Sequence, residues 1–440
     1  MTLKEEFIKL GYNEEDYEII RNDHAIINIK DETLIKKLKD NYAFFLKNGY
    51  TKEEVIKMTK SLPSIYGLST ENIKQKMEDI IALGYTKEEV IKMTKILPSI
   101  YSLSIESIKQ KIEDMITLGY TKEEVIKMTK ILPSIYSLSI ENIKQKIEDM
   151  IALGYTKEEV IKMTKILPSI YGYSIESIKQ KIEDMIALGY TKEEVIKMAK
   201  ILPSIYSLSI ESIKQKIEDI ISLGYTKEEV IKMAKILPSI YGLSIENIKQ
   251  KIEDMIALGY TKEEVIKMTK SLPSIYSYST ENIKQKIEDI IALGYTKEEV
   301  IKMTKSFPPI YGLSIENIKQ KIEDMIALGY TKEEVIKMTK SFPPIYGLST
   351  ENMKQKIEFY DSIDMHELAV IDSKRLMQSV NLSYARYSFY IDRETDINMK
   401  NYRKLFVRQK QFEKAYGITK KELLEKYDYN KYKEERKMNL

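Results

Sequence analysis

Lysine and tyrosine recur along this chain at a fixed stride, and they are the side chains whose types and spacing can do chemistry. Lys60, Lys95, Lys130, Lys165, Lys200, Lys235, Lys270, Lys305 and Lys340 follow one another at intervals of 35 residues. Stacked in register, they would form a ribbon of ammonium groups able to track a phosphate backbone, with an affinity that falls as salt rises. Lys57 and its counterparts stand four residues after Glu53 and its counterparts, so an intrahelical ion pair is expected to occupy them. The Lys60 position has Ile56 at that spacing, which makes it the candidate contact. Tyr66, Tyr101, Tyr136 and onward to Tyr346 keep the same stride. Such rings can stack on bases, although packing between repeats is the plainer expectation, and more so for Tyr85 and its equivalents.

A second, irregular group lies near the C-terminus: Arg375, Tyr384, Arg386, Tyr387, Tyr390, Arg393, Arg403, Lys404, Arg408 and Lys410. Guanidinium forks and aromatic faces suit phosphate and base contact, and a polar cap that keeps a repeat array soluble uses the same residue types. Of these, Arg375, Arg386, Tyr387, Arg393, Arg403 and Arg408 join the lysine column as candidate nucleic-acid contacts. Catalysis finds less support. The chain has no cysteine, and its histidines are His24 and His366. That leaves no thiolate metal site, no zinc cluster and no Ser-His or Cys-His pair. No enzyme activity, cofactor or metal is expected.

The elements that must position these residues are written in the repeat. Gly49, Gly84, Gly119, Gly154, Gly189, Gly224, Gly259, Gly294 and Gly329 open nine nearly identical units of 35 residues, a period that marks a solenoid. In each unit Thr51-Lys52-Glu53-Glu54 has the form of a capping box. Val55, Met58, Thr59 and Leu62 then fall on one helical face. Pro63 cannot continue that helix and drives Leu62 out of the α region, so Pro63-Ser64-Ile65-Tyr66 predicts a 3₁₀ turn. Ser69 caps a second helix whose buried stripe is Ile73, Met77 and Ile80, and the next glycine closes it in the left-handed conformation.

The expected fold is therefore all-α: a curved α-solenoid of nine 35-residue helix–Pro/3₁₀ turn–helix repeats with degenerate capping repeats at both ends. Residues 1–48 read as a worn first repeat, 49–363 as the nine tandem repeats and 364–440 as a basic degenerate repeat and cap. In that last segment Asp364 stands in the glycine's place and Gln378 in the proline's; the charged run Tyr429–Lys437 is expected to fray. Net charge is +3, with 45 basic and 45 acidic residues in 49–363 but 17 against 12 in 364–440. The first residues lack the apolar core of a secretion signal, and no run reaches a membrane-spanning length. A cytoplasmic monomer, with no membrane contact, is expected.

The order Gly84-Tyr85, Glu88-Glu89, Pro98 and then Leu138-Ser139-Ile140-Glu141-Asn142-Ile143 in the following unit resembles the mitochondrial transcription termination factor (mTERF) family, and Ala385-Arg386-Tyr387 is similar to that family's closing repeat. The resemblance implies two helices and a 3₁₀ turn per unit, and nucleic-acid binding along a basic inner face in transcription or organelle gene expression. Nucleic acid, DNA ahead of RNA, is accordingly the first expected partner. A protein partner on a scaffold using the concave solenoid surface is the alternative, favoured by the neutral array. Two varying pairs, Gly67/Ser102 and Asn72/Ser107, are the positions that a repeat-by-repeat base code would use. Ser61 with Thr70, Ser271 with Thr280 and Ser341 with Thr350 change together, against isoleucine pairs in most copies, and Ser306 with Ile315 breaks the pairing.

Overall fold

The computed structural model describes residues 2–438, with side chains through Glu434. Every regular element among them is helical. The chain forms two compact units, Met1–Ile213 and Lys214–Leu440.

In the first unit, the helices Leu3–Leu10, Glu14–Arg21 and Asp31–Lys47 precede the regular pairs Lys52–Ser61 with Thr70–Ala82, Lys87–Ile96 with Ile105–Leu118, Lys122–Ile131 with Ile140–Leu153, and Lys157–Ile166 with Ile175–Leu188. A 3₁₀ turn starting at the proline joins the members of each pair. The local causes are those the sequence points to. Thr86 N–H donates to Glu89 Oε2 at 2.8 Å and Glu89 N–H to Thr86 Oγ1 at 3.2 Å, closing the capping box. Leu97, before the proline, sits at φ −129°, ψ 80°, outside the helix. Gly119 ends its helix at φ 116°, and a Cβ there would lie 3.0 Å from Ile161 Cδ1, so both conformation and space require glycine. The short helix Leu3–Leu10 lies ahead of Gly11-Tyr12. It takes the place of a second helix cut to its last turns, and Gly11 closes it at φ 101°.

Successive repeats are joined through buried hydroxyls. Tyr85 Oη lies 2.5 Å from both Thr129 Oγ1 and Tyr136 Oη in the following repeat. Thr129 Oγ1 also lies 2.9 Å from Val125 O. A carbonyl can only accept, so the protons have one order: Tyr136 donates to Tyr85, Tyr85 to Thr129, and Thr129 to the carbonyl. The set recurs as Tyr12–Thr59–Tyr66, Tyr50–Thr94–Tyr101 and Tyr120–Thr164–Tyr171. Where Ala199 replaces the threonine, Tyr155 and Tyr206 still bond each other, and the chain's last acceptor is gone. Burial pushes the Tyr12 and Tyr206 hydroxyls up to about 12. A second tie runs between second helices and turns: Lys76 Nζ donates to Leu103 O at 2.5 Å, and Lys111, Lys146 and Lys181 do the same to residues 138, 173 and 208.

The second unit repeats this plan through the pairs Lys227–Ile236 with Ile245–Leu258, Lys262–Ser271 with Thr280–Ala292, Lys297–Ser306 with Ile315–Ala327, and Lys332–Ser341 with Thr350–Asp361. The hydroxyl set recurs as Tyr225–Thr269–Tyr276, Tyr260–Thr304–Tyr311 and Tyr295–Thr339–Tyr346. The unit ends with Leu368–Ile371, a 3₁₀ turn at Ser373–Met377, Val380–Ile391, a further 3₁₀ turn at Tyr402–Phe406, and the helices Gln409–Tyr416, Lys420–Lys426 and Tyr429–Met438. Asp364, at φ 53°, holds the left-handed position of the glycine. Gln378 does not hold the proline's position. The degenerate first helix is only four residues long, so the turn comes early: Asp372, at φ −140°, ψ 65°, matches Leu62, and Ser373 begins the 3₁₀ turn. Ala369, four residues before that turn, stands in the threonine's place and leaves Tyr330 without it; the Tyr330 ring stacks on His366 at 4.3 Å and its hydroxyl donates to the His366 carbonyl. The run from Tyr429, expected to fray, is helical because Tyr432 stacks on Tyr384 at 4.7 Å and Tyr429 packs beside it at 5.5 Å.

The hydroxyl order makes a testable statement about stability. Thr129→Val keeps the shape and removes the acceptor of Tyr85, and should cost about 1–3 kcal/mol. Ala199→Thr restores an acceptor to Tyr155 and should raise the urea midpoint at unchanged slope; equal midpoints for both variants and the parent would contradict the proton order.

Candidate nucleic-acid interface

The Lys60 column is not a row of free ammonium groups. Lys95 Nζ lies 2.7 Å from Glu54, Lys130 2.7 Å from Glu89, Lys165 2.6 Å from Glu124 and Lys200 2.5 Å from Glu159. In the second unit Lys270, Lys305 and Lys340 pair in the same way with Glu229, Glu264 and Glu299. Lys60 itself pairs with Asp16 at 2.5 Å. Each glutamate belongs to the capping box of the preceding repeat, so one carboxylate both accepts a helix N-terminal N–H and fixes the next repeat's lysine. Lys130, and after it the Thr86 N–H, hold the Glu89 carboxyl below its ordinary 4.5; Lys95 and the Thr51 N–H do so for Glu54. A phosphate reaching these lysines would meet a carboxylate beside each one.

The Lys57 column behaves in the opposite way to the sequence expectation. Glu53 turns back onto its own N–H and the Thr51 hydroxyl, which hold its pKa below the ordinary value. Glu123 and Glu158 do the same. Lys57, Lys92, Lys127, Lys162 and Lys197 are exposed, and among the described residues none of them forms an ion pair. Spacing alone hides this, because a glutamate in the first turn is within reach of both the helix N-terminus and the lysine a turn later, and the N-terminal groups win.

The tyrosines after the proline turn are buried in the hydroxyl sets, which leaves their faces to packing. The varying positions lie outside the core. Asn72 and Ser107 sit exposed in the first turn of the second helix, Ser107 within 2.8 Å of Ser104 Oγ. Gly67 is half-buried at the end of a 3₁₀ turn and Ser102 is exposed. The co-varying Ser and Thr find separate partners: Ser341 Oγ donates to Met338 O at 2.9 Å, while Thr350 donates to Asp324 at 2.5 Å.

In the C-terminal group, burial separates structural from exposed cations. Arg386 is 1 % exposed; Nη1 donates to Leu405 O at 2.8 Å and Val407 O at 2.7 Å, and Nη2 to Gln409 Oε1 at 3.0 Å. Its guanidinium lies 4.9 Å from the Phe412 ring centre. Arg386 therefore fastens Val380–Ile391 to the segment after residue 402, and the expectation that it touches nucleic acid is corrected: no face of it reaches solvent. Arg375 donates to Asp372 at 2.8 Å and lies over Phe406 at 4.6 Å. Tyr387 is half-buried against Phe359 at 6.0 Å. Arg393 is exposed over Phe389 at 3.6 Å. Arg403, Lys404, Arg408, Lys410 and Lys414 are exposed as well, and among the described residues no carboxylate pairs with them. Arg403, Lys404 and Arg408 are thus exposed along the segment whose Leu405 and Val407 carbonyls hold the buried Arg386.

A family model described as mTERF matches residues 5–152, 80–186, 147–257, 220–326 and 255–369. Comparison with curated proteins returns no match.

The carboxylates of the ladder set its pH dependence. Because the folded pKa of Glu89 and its equivalents lies below the unfolded value, their stabilisation is present at neutral pH and is lost as pH falls below about 4.5. Replacing Glu89, Glu124 and Glu159 by glutamine should lower the urea midpoint at pH 7 and shrink its drop between pH 5 and pH 3. An unchanged pH profile would show that the ion pairs contribute nothing to the fold.

Proposed function

The chain belongs to the mTERF family of helical-repeat proteins, and from that membership we propose that it binds nucleic acid through phosphate contacts on its C-terminal cap. The observation that carries this is a contrast in charge. Between Lys400 and Lys421 stand eight basic residues and one acidic residue, Glu413. The Glu413 carboxylate accepts from Gln409 and from the Lys420 N–H. In the repeats every lysine of the Lys60 column in the pairs described above is neutralised; on the cap Arg393, Arg403, Lys404, Arg408, Lys410 and Lys414 keep their charge for a polyanion. Duplex DNA is placed ahead of RNA, and the action on transcription that the family implies is part of the same proposal. No helix among the described residues is long and apolar enough to cross a membrane.

Anisotropy titrations of duplex DNA, single-stranded DNA and RNA at several salt concentrations test it. Tight binding at low salt should weaken linearly in log–log form, with a slope of about −0.9 per phosphate contact on duplex DNA. Arg403→Gln with Lys404→Gln and Arg408→Gln should weaken binding at least about tenfold and flatten that slope at unchanged melting temperature. Arg386→Ala should instead lower the melting temperature. Absence of binding below about 10 μM at low salt, or a slope indifferent to the triple substitution, would sink the proposal.

A further inference from the structure

Ile96, Ile131, Ile166 and Ile201 end four consecutive first helices of the first unit and are 61 %, 56 %, 55 % and 60 % exposed. The fold does not ask for isoleucine there. The same position is Ser61, Ser271, Ser306 or Ser341 in other repeats, and the Ser61 hydroxyl is satisfied by Met58 O at 2.8 Å, as Ser306 is by Met303 O at 2.9 Å. A β-branched residue at an exposed last helical position gains neither helix propensity nor burial. Four large apolar side chains left outside in the same register point to something that covers them.

Their surroundings say what. One helical turn earlier on the same face stand Lys92, Lys127, Lys162 and Lys197, the exposed lysines that form no ion pair among the described residues. A turn before those come the exposed carboxylates of Glu88, Glu123, Glu158 and Glu193. The face is thus a column of isoleucines bordered by free ammonium groups, with carboxylates beyond. We propose that it is a docking surface for an acidic amphipathic helix of a partner protein, laid across the first helices of the repeats. The spacing fits: these first helices pack directly on one another, and packed helices lie about 8–10 Å apart. A helix advances about 10.5 Å in seven residues, so one apolar residue per heptad meets each isoleucine in turn, and acidic neighbours meet the lysine column. A phosphate backbone on the same face would run beside the glutamate column and bury no base against isoleucine, which disfavours nucleic acid here.

The surface is separate from the C-terminal cap, and the test keeps the two apart. A fluorescein-labelled helical peptide of about 25 residues, with leucine at every seventh position and glutamate flanking it, is titrated into the full chain. The variant Ile96→Ser, Ile131→Ser, Ile166→Ser and Ile201→Ser uses a residue the fold already carries at this position. It should bind the peptide at least tenfold more weakly while its DNA affinity is unchanged. Lys92→Gln, Lys127→Gln, Lys162→Gln and Lys197→Gln should weaken the peptide and reduce its salt dependence, and a peptide with lysine for glutamate should not bind. Equal peptide affinity for the parent and the serine variant overturns the proposal, as does failure of the parent to bind. Loss of DNA affinity in the serine variant with peptide binding intact would give the face to nucleic acid. Self-association of the parent that the serine variant abolishes would give it to a second copy of the chain. Either result also overturns the proposal.

Discussion

A repeat of this kind cannot bury its own apolar face, so the contact between one repeat and the next carries the structure. Here that contact has a polar centre. A tyrosine hydroxyl reaches from one unit into the next, where it meets a threonine and a second tyrosine in a water-excluded site. Buried hydroxyls are costly unless each proton has an acceptor, and the threonine oxygen is free to accept because its own O–H donates to the helix carbonyl four residues back. The apolar residues around the set, such as Val125 and Met128, are fully buried, and they provide most of the driving force; the hydroxyl chain decides how the two units must align. The lysine that caps the neighbouring 3₁₀ turn, Lys111 to Leu138 O, ties the same two units a second time.

Charge obeys a similar economy of parts. One glutamate per repeat closes its own helix and binds the lysine of the following unit, so capping and stacking share a carboxylate. Exposed ion pairs are individually weak, and their importance here is less in strength than in what they remove from the surface. The lysines with the most regular spacing become electrically silent towards large anions. Among the described residues the column beginning at Lys57 and the exposed cations of the cap form no such pair, and these two sets sit beside different chemistry: isoleucine in one case, aromatic rings and guanidinium groups in the other.

Much of this was legible in the sequence. The capping box, the proline-led turn, the left-handed glycine and the Ser N-cap each depend on two or three neighbouring residues, and nine copies of each made the pattern plain. What escaped was the choice of polar partners, within a helix and across repeats. Glu89 pairs with Lys130, 41 residues away, rather than with anything in its own helix. Glu53 prefers its own N–H and the Thr51 hydroxyl to Lys57, a competition that spacing cannot rank. The degenerate repeat after residue 364 loses residues from its first helix, so counting by 35 misplaced the turn at Gln378. Arg386 sits in a run that looks basic and surface-like, yet its carbonyl acceptors come from residues 405 and 407, in a segment with no counterpart in the repeat.

The forward reach of the tyrosine has a consequence for how such a gene can change. Because Tyr50 meets Thr94 and Tyr101 through the same geometry that joins Tyr85 to Thr129 and Tyr136, excising one whole unit would present Tyr50 with Thr129 and Tyr136 and leave the junction chemically identical. Duplication of a unit is equally silent. An insertion or deletion of any other length breaks a junction at once. Copy number is thus the one dimension in which this protein can lengthen or shorten freely, and Tyr330, whose hydroxyl turns to the His366 carbonyl because no threonine follows, marks where that counting stops.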